Sequence, residues 1–423
     1  MRRNESWLKP VSGSSYSRGN HYRGSGSVMP KLLKVVLFLV VLAVLVSVVQ
    51  LFRAVPAPQF SAETHGSVVP GTPVSLPWPS GGSGQVELEN AGIIGGANPN
   101  SELPLGSVAK MITALVVVKD HPLSLGATGP IVTVNASDVN LYQTMVHQQD
   151  TVIPVALGEQ LNEYQLLEGL LVPSANNFAV MLANWDAGSS TAFAAKMNSL
   201  VKSLGIHRIV LSGPSGLNPH SVGSAHDLVV VAQAVLKNPV LRYIVAKAQA
   251  TLPVAGITYN INYDVGHNGF VGIETGIMGN GGDFVFAANG PSSSSGLIIG
   301  AVLGQPGAQP LIAALNEGNK LVDAARKVPA TVSVLNSGQG LAKITAPGEN
   351  PVVVKAAQGV SMLGWPGLRV SYSYKFSKLP HSLKSGAKVG TVTVTSGTQS
   401  KTVPLVTSSA VRGPSITWRL MRP

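Results

Sequence analysis

The sequence of 423 residues is long enough for two domains with extensions, and it contains no cysteine. Disulfide bonds, thiolate metal sites and a cysteine nucleophile are therefore excluded. Its formal net charge of +11 is unevenly distributed, with +7 in residues 1–53, −6 in residues 54–329 and +10 in residues 330–423. The acidic middle gives no support to nucleic-acid binding. The basic end suits an anionic membrane or cell-wall polymer and, equally, a solvated basic face.

One stretch is long and apolar enough to span a bilayer. Residues 35–52 (VVLFLVVLAVLVSVVQLF) carry no charge and, at about 1.5 Å per residue, cover one hydrocarbon thickness. Residues 1–34 form a basic tail with seven Lys or Arg and one acid, so the positive-inside rule places this end in the cytoplasm. We predict an uncleaved single-pass anchor with the rest of the chain outside the cytoplasm. A signal peptide cleaved near residues 55–57 is the alternative.

The remaining chain divides into three parts by composition. Residues 53–84 are rich in Pro, Gly and Ser, which predicts a linker. Residues 85–329 mix helical and strand patterns, and residues 330–423 show short alternating strands typical of a small sandwich. The predicted helices are 111–118, 161–172, 177–185, 190–204, 225–236 and 311–326, and the predicted strands are 284–288, 297–303, 331–334, 368–374 and 389–394.

Ser107 and Lys110 form an S-x-x-K pair at a predicted helix start. Residues three apart share a helix face, so the Lys110 Nζ can reach the Ser107 Oγ. Burial and the positive helix terminus both disfavour a protonated lysine, which would prepare it to accept the serine proton. The pattern also arises often by chance, and on its own it favours a capping serine with a solvated lysine.

Two further segments follow at a distance. The S-A-N segment at 174–176 comes directly after a predicted helix that a proline interrupts, and its hydroxyl and carboxamide could relay a proton and hold a substrate amide. An ordinary polar loop is the alternative for this segment alone. The E-T-G-I segment at 274–277 precedes a glycine-rich turn and the strand 284–288.

In this order, the three segments resemble the S-x-x-K, S-x-N and K-T-G motifs of the serine D-alanyl-D-alanine carboxypeptidases, which are low-molecular-mass penicillin-binding proteins. The resemblance extends over residues 85–423 and includes "KMITAL", "GLLVPSANNFAVMLA" and the hairpin of "GAKVGTVTV" with "KTVPLV". It implies an α+β fold, in which a β-lactamase/transpeptidase-like domain (an antiparallel sheet flanked by helices) is followed by a small all-β C-terminal domain.

The resemblance also implies a function. The protein would be a membrane-bound serine peptidase that acts on peptidoglycan stem peptides without metal or cofactor and is acylated by β-lactams. The carbonyl of the penultimate D-alanine would acylate Ser107, Lys110 would be the general base, and the backbone N–H groups of Ser107 and Ile277 would form the oxyanion hole. The implied catalytic residues are Ser107, Lys110, Ser174 and Asn176, and the implied substrate-binding residues are Glu274, Thr275, Gly276 and Ile277.

The third motif departs from the family pattern, because Glu274 stands where a lysine helps to hold the terminal carboxylate of the substrate. Two like charges a few ångströms apart in a partly buried cleft repel by several kcal/mol unless one is protonated. Residues 248–319 contain no Lys or Arg. A raised pKa of Glu274, or a cation folded in from Arg208, Arg242 or His267, would restore binding.

Two further departures are milder, and three functions stay open. Asn177 stands where an aspartate is common, and Gly106 stands where alanine often precedes the nucleophile, a change expected to matter little. Of the three functions, the first is an active peptidase with reduced or altered recognition of a terminal carboxylate. The second is a catalytically impaired family member that binds peptidoglycan or scaffolds cell-wall enzymes. The third is a relative that acts on other esters and amides.

Overall fold

The computed structural model describes residues 29–422, and its first element is a long apolar helix, Met29–Phe52 (α1). Its Lys31–Phe52 part has a mean hydropathy of 3.1 and, within the described residues, is the one single helix long and apolar enough to cross a membrane. The predicted span 35–52 lies inside it. Residues 29–34, predicted to belong to the basic tail, are helical as well, and the rest of that tail, residues 1–28, lies outside the described residues.

The elements that follow α1 mix short strands and helices. The helices after α1 are α2 Lys110–Asp120, α3 Ala136–His147, α4 Glu163–Leu171, α5 Asn176–Ala187, α6 Ser190–Ser203, α7 Ala225–Lys237, α8 Pro239–Val245, α9 Pro310–Ala325 and α10 Ile416–Met421, with 3₁₀ helices at Gly106–Ala109 and Ser293–Ser295. The strands are β1 Gln59–Ala62, β2 Gly66–Val68, β3 Ser83–Leu88, β4 Gly92–Ala97, β5 Leu103–Pro104, β6 Ile131–Thr133, β7 Gln160–Asn162, β8 Val222–Gly223, β9 Gln249–Leu252, β10 Gly256–Tyr259, β11 Phe270–Met278, β12 Gly281–Asn289, β13 Leu297–Pro306, β14 Ala330–Leu335, β15 Gly340–Thr345, β16 Val352–Ala356, β17 Val360–Gly364, β18 Arg369–Phe376, β19 Lys388–Ser396 and β20 Gln399–Thr407.

A five-stranded antiparallel sheet, in the order β11-β12-β13-β3-β4, separates two apolar cores. Successive side chains of a strand point to opposite faces. Accordingly, Val285 and Ala287 of β12 join the core formed with helices α2 and α4–α8, whereas Phe284 and Phe286 join the core formed with α9. Strand β11 is at the edge of this sheet, and it contacts the 3₁₀ helix Gly106–Ala109. The fold thereby brings the first and third motifs together.

Most of the predicted elements of this region are confirmed within a few residues. The predicted helices correspond to α2, α4, α5, α6, α7 and α9, and the predicted strands to β12 and β13. Helices α3 and α8 and the β9–β10 hairpin were not predicted.

The C-terminal part is built on a seven-stranded sheet in the order β1-β15-β16-β20-β19-β18-β2, with a separate β14-β17 pair. The predicted strands 331–334, 368–374 and 389–394 correspond to β14, β18 and β19, and the predicted hairpin is β19–β20. The apolar side chains of the C-terminal part belong to the same core as those of α9. The C-terminal part therefore packs on the α9 side of the five-stranded sheet, opposite the helices α2 and α4–α8.

The prediction of a linker over residues 53–84 was wrong. Strand β1 pairs with β15 and strand β2 with β18, so this segment supplies both edges of the seven-stranded sheet. Val69 and Leu76 are buried, and Phe60 stacks on Phe376 with ring centroids 4.0 Å apart. Proline and glycine exclude a central strand but not an edge strand, whose outer N–H groups need no partner in the sheet. Composition alone therefore misrepresented this segment.

The last helix, α10, contacts the end of α1. The Arg422 guanidinium donates hydrogen bonds to the carbonyl oxygens of Gln50 (2.9 Å), Arg53 (2.6 Å) and Ala54 (3.1 Å). The final carbonyls of a helix have no partner within the helix and lie at its negative end, where a cation is favourable. The contact joins the C-terminal end of the chain to the end of the apolar helix.

Candidate active site

Ser107 and Lys110 lie at the junction between a 3₁₀ turn and helix α2. Residues i and i+3 of a 3₁₀ helix are eclipsed, which brings the two side chains together. The Lys110 Nζ donates a hydrogen bond to the Ser107 Oγ at 2.7 Å. Neither the 3₁₀ turn nor α2 has a side-chain cap, and Lys110 is fully buried. The alternative of a capping serine with a solvated lysine is therefore wrong.

The environment of Lys110 disfavours its charged form. Burial lowers the pKa of Lys110 from 10.5 to about 8, although the charges of Glu274 and Asp150 act in the opposite direction. A pKa near 8 leaves a useful fraction of the amine neutral at physiological pH, as a general base requires.

Ser174 completes the surroundings of Lys110. The Lys110 Nζ donates to the Ser174 carbonyl oxygen at 2.7 Å and lies 3.1 Å from the Ser174 Oγ. Ser174 has φ = +56°, a left-handed conformation that is costly for a residue other than glycine and is often found at functional sites. Asn176, two residues on, is buried at the start of α5, and its Oδ1 has no hydrogen-bond partner within residues 29–422.

The neighbouring Asn177 has a structural role. Its Oδ1 accepts a hydrogen bond from the Ile153 N–H at 3.1 Å, and its Nδ2 donates to the Ile153 carbonyl oxygen at 2.8 Å. This exchange needs one donor and one acceptor, which a carboxamide provides and an ionised aspartate does not. The departure at this position is thus matched to the backbone that faces it.

Glu274 lies in β11 and is almost completely buried, with 3% of its surface exposed. Its Oε1 accepts a hydrogen bond from the Thr275 N–H at 3.3 Å, and its Oε2 has no partner among the described residues. Burial raises the pKa of Glu274 to about 8, and the nearby Lys110 charge, the Ser174 hydroxyl and the Thr275 amide oppose this change. The side chain is therefore largely a neutral carboxyl at pH 7.

Two glycines allow β11 and the 3₁₀ turn to approach each other. A Cβ on Gly276 would lie 3.1 Å from the Ser107 N, and a Cβ on Gly106 would lie 3.1 Å from the Ile277 N. Both amide groups of the predicted oxyanion hole thus lie at this contact. Gly106 also has φ = +49°, which side-chain-bearing residues rarely adopt. The geometry argues against the expectation that its identity matters little, because a Cβ here would lie 3.0 Å from the Ile277 carbonyl oxygen of β11.

A cleft of about 160 Å³ lies over these groups. Six predicted site residues line it: Ser107, Ser174, Asn176, Thr275, Gly276 and Ile277. The other two, Lys110 and Glu274, lie in its buried wall. Within residues 29–422, no Lys, Arg or His lines the cleft, so the suggested compensation by Arg208, Arg242 or His267 is wrong. The suggested rise in the pKa of Glu274 is present.

Sequence reasoning missed two acids near the cleft. Asp150 lines it, after helix α3, and no local pattern marks this residue. Asp283 of β12 pairs with Gly276 in the sheet register and is buried, which raises its pKa well above the usual range. The pairing of the two strands, β11 and β12, could have indicated its position. Within the described part of the chain, no group of three His, Asp or Glu is arranged to hold a metal ion.

Comparisons with known proteins agree with this geometry. The profile of a family described as D-alanyl-D-alanine carboxypeptidase (peptidase S11) matches residues 85–299. The chain is 32% identical over 170 residues to the D-alanyl-D-alanine carboxypeptidase DacB2 of Mycobacterium tuberculosis, a match covering 40% of this chain and 54% of the relative. It is 28% identical over 215 residues to the D-alanyl-D-alanine endopeptidase of Escherichia coli, covering 50% and 65%. The chain thus matches between about half and two thirds of the length of these relatives.

Solved structures share the fold over a longer range. Penicillin binding protein 6B of Escherichia coli superposes with a TM-score of 0.59 at 21% identity, covering 81% of this chain and 100% of that one. Penicillin binding protein 5 of Haemophilus influenzae gives 0.57 at 20% identity, covering 80% and 99%. The predicted α+β fold class is confirmed.

Proposed function

The chain belongs to the D-alanyl-D-alanine carboxypeptidase family, and on this basis we propose that it is a serine hydrolase of peptidoglycan stem peptides that works through an acyl-enzyme on Ser107. The hydrogen bond from the Lys110 Nζ to the Ser107 Oγ carries the proposal. It pairs a nucleophile with a buried base whose pKa, about 8, suits proton transfer near neutral pH.

Acylation uses the neutral form of Lys110. The Ser107 Oγ attacks the carbonyl carbon of the penultimate D-alanine while its proton passes to the Lys110 Nζ. The carbon–nitrogen bond then breaks, and the leaving amine takes a proton from Lys110 through the Ser174 hydroxyl, which lies 3.1 Å from the Nζ. Water hydrolyses the resulting ester, which frees the shortened peptide and restores the serine.

The edges of the cleft bind the reacting peptide. The N–H groups of Ser107 and Ile277 stabilise the charge that develops on the carbonyl oxygen. Asn176 offers its carboxamide to the amide groups of the substrate, and its unpaired Oδ1 leaves this interaction open. Thr275 lines the part of the cleft nearest to Glu274 and contacts the leaving residue.

We further propose that α1 is a retained anchor, with the N-terminus cytoplasmic and residues 53–423 on the outer side of the cell membrane, where peptidoglycan and β-lactams are encountered. The contact of Arg422 with the final carbonyls of α1 supports retention, since cleavage after α1 would leave the guanidinium without these partners.

Acylation of the full-length protein in detergent tests the proposal. The protein is incubated with benzylpenicillin and, because the cleft lining has no cation, also with its uncharged methyl ester. Intact-mass spectrometry should show one adduct in wild type and in the exposed-site control Ser377→Ala, and none in Ser107→Ala. If folded wild type forms no adduct with either reagent and cleaves no stem peptide, the alternative of a non-hydrolysing peptidoglycan-binding protein is favoured.

A further inference from the structure

The cleft beside Ser107 combines an acyl-transfer geometry with an acidic substrate-binding edge. Its lining has one charged side chain, the carboxylate of Asp150, and a second carboxyl group, Glu274, is buried in the wall next to Thr275. The nearest cation, Lys110, already donates hydrogen bonds to Ser107 and Ser174 and must lose its charge for acylation. Among the described residues, no cation in this cleft is free to replace the hydration of a substrate carboxylate.

Two unpaired carboxyl oxygen atoms lie buried behind the lining of the same site. Within residues 29–422, the buried Glu274 Oε2 and Asp283 Oδ2 have no hydrogen-bond partner. The Asp283 oxygen lies against the lining strand, since a Cβ on Gly276 would be 3.3 Å from it. Buried carboxyl oxygens without partners are costly, and here they place further acceptors, rather than a cation, behind the lining. A further carboxylate would bring only acceptors.

The ionisation of Glu274 does not change this conclusion. If Glu274 is ionised, it repels a substrate carboxylate directly. If it is neutral, as a pKa of about 8 indicates at pH 7, it supplies no positive charge to hold a carboxylate. In both states a neutral amide is preferred over a carboxylate.

We propose that this cleft takes stem peptides in which the leaving residue carries an amide, either as a terminal carboxamide or as a continuing peptide bond, in place of a free α-carboxylate, and that Glu274 determines this choice. The inference rests on the proposed function and names its substrate class. Bond breaking is unchanged: the carbonyl carbon is transferred to the Ser107 Oγ, and the leaving group departs as a neutral amine whose own α-carbonyl is an amide.

Three matched peptides test the proposal with the full-length protein in detergent. They are diacetyl-L-Lys-D-Ala-D-Ala, the same peptide ending in D-alaninamide, and its extension to D-Ala-D-Ala-Gly-amide. The released amines are quantified by mass spectrometry, and the initial rates give kcat/KM for each peptide. For wild type we expect kcat/KM of the better amide peptide to exceed kcat/KM of the carboxylate peptide by about tenfold or more. The two amide peptides separate a chain-end carboxamide from an internal bond.

Substitutions at position 274 should change the preference. Glu274→Lys should raise kcat/KM for the carboxylate peptide by about tenfold and lower it for the amide peptides, mainly through KM. For Glu274→Gln, the ratio of the two kcat/KM values should lie between those of wild type and Glu274→Lys. The exposed Glu102→Lys is the matched control for charge reversal and should leave the preference unchanged. The wild-type comparison remains decisive if a variant at 274 fails to fold.

The outcomes separate this inference from the proposed function. Ser107-dependent cleavage in which the carboxylate peptide equals or exceeds both amides overturns the inference alone. The absence of Ser107-dependent product from all three peptides, together with no β-lactam adduct, overturns the proposed function and the inference with it. Cleavage of the amides with an unchanged preference in Glu274→Lys overturns the role assigned to Glu274.

Discussion

The protonation of Lys110 should set the pH dependence of acylation. Burial lowers the pKa of Lys110 from 10.5 to about 8, which means that the folded protein disfavours the ammonium by about 3 kcal/mol relative to water. With this pKa, about one tenth of the side chain is neutral at pH 7 and about nine tenths at pH 9. Because only the neutral amine can accept the Ser107 proton, the acylation rate should rise about tenfold over this range.

Replacing Glu274 by glutamine should move this profile to lower pH. The charge of Glu274 raises the pKa of Lys110, so its removal lowers that pKa further. In wild type, both groups have a pKa near 8 and titrate as a coupled pair. The variant has one titrating group here and should give a one-proton curve centred about one pH unit lower. Because Glu274 is largely protonated at pH 7, the two proteins should differ little there and most around pH 8, where the wild-type carboxyl ionises.

An uncharged β-lactam ester is the suitable reagent, because its own charge does not change with pH. The adduct on full-length protein is followed by intact-mass spectrometry from pH 6 to 9.5, with the exposed Glu102→Gln as the matched control. A rate that is independent of pH between 6 and 9 would refute the role of Lys110 as proton acceptor. A midpoint for Glu274→Gln above that of wild type would refute the electrostatic coupling between the two side chains.

Three further predictions concern stability and geometry. In the folded state Glu274 keeps its proton up to about pH 8, whereas the unfolded chain releases it near pH 4.5, so wild-type stability falls as pH rises through this window, by up to about 5 kcal/mol. The gain in Tm of Glu274→Gln over wild type should therefore be larger at pH 8 than at pH 5 in calorimetry, and an equal gain would contradict this. Asn177→Asp places a carboxylate against the Ile153 carbonyl and should cost about 1–3 kcal/mol in denaturant unfolding, while the exposed Asn140→Asp should cost much less. Gly106→Ala puts a Cβ 3.0 Å from a backbone oxygen of β11 at φ = +49° and should reduce acylation about tenfold or more with an unchanged circular dichroism spectrum; an unchanged rate would refute the need for glycine.

The sequence predicted the parts of the site that depend on local spacing. Ser107 and Lys110 are three residues apart, and Ser174 and Asn176 are two apart, so short-range geometry already relates the members of each pair. The order of the three motifs along the chain then indicated a family whose fold brings them together. Residues whose position depends on long-range pairing, such as Asp150 and Asp283, carry no such local signal.

The wrong linker prediction and the unpredicted contact of Arg422 with α1 have the same origin. Residues 53–84 have the composition of a spacer, yet β1 and β2 pair with strands β15 and β18, which lie about 280–300 residues later in the sequence. Arg422 contacts α1 carbonyls about 370 residues earlier, which no local pattern could indicate. In both cases the hydrogen-bond partners are backbone groups. Every residue type carries such groups, so no sequence pattern indicates which of them will be the partner.

The substitution at position 274 changes two properties of the site at once. A lysine there would lower the pKa of Lys110 by like-charge repulsion and attract a substrate carboxylate, whereas Glu274 raises that pKa and removes the attraction. Burial of Lys110 opposes the first effect strongly enough to keep its pKa near 8, so activation of the nucleophile survives the change of charge. Recognition of a carboxylate has no comparable compensation in the cleft lining. The same residue therefore leaves proton transfer workable and shifts substrate choice towards a neutral leaving group, which is why chemistry and specificity must be measured separately in variants of Glu274.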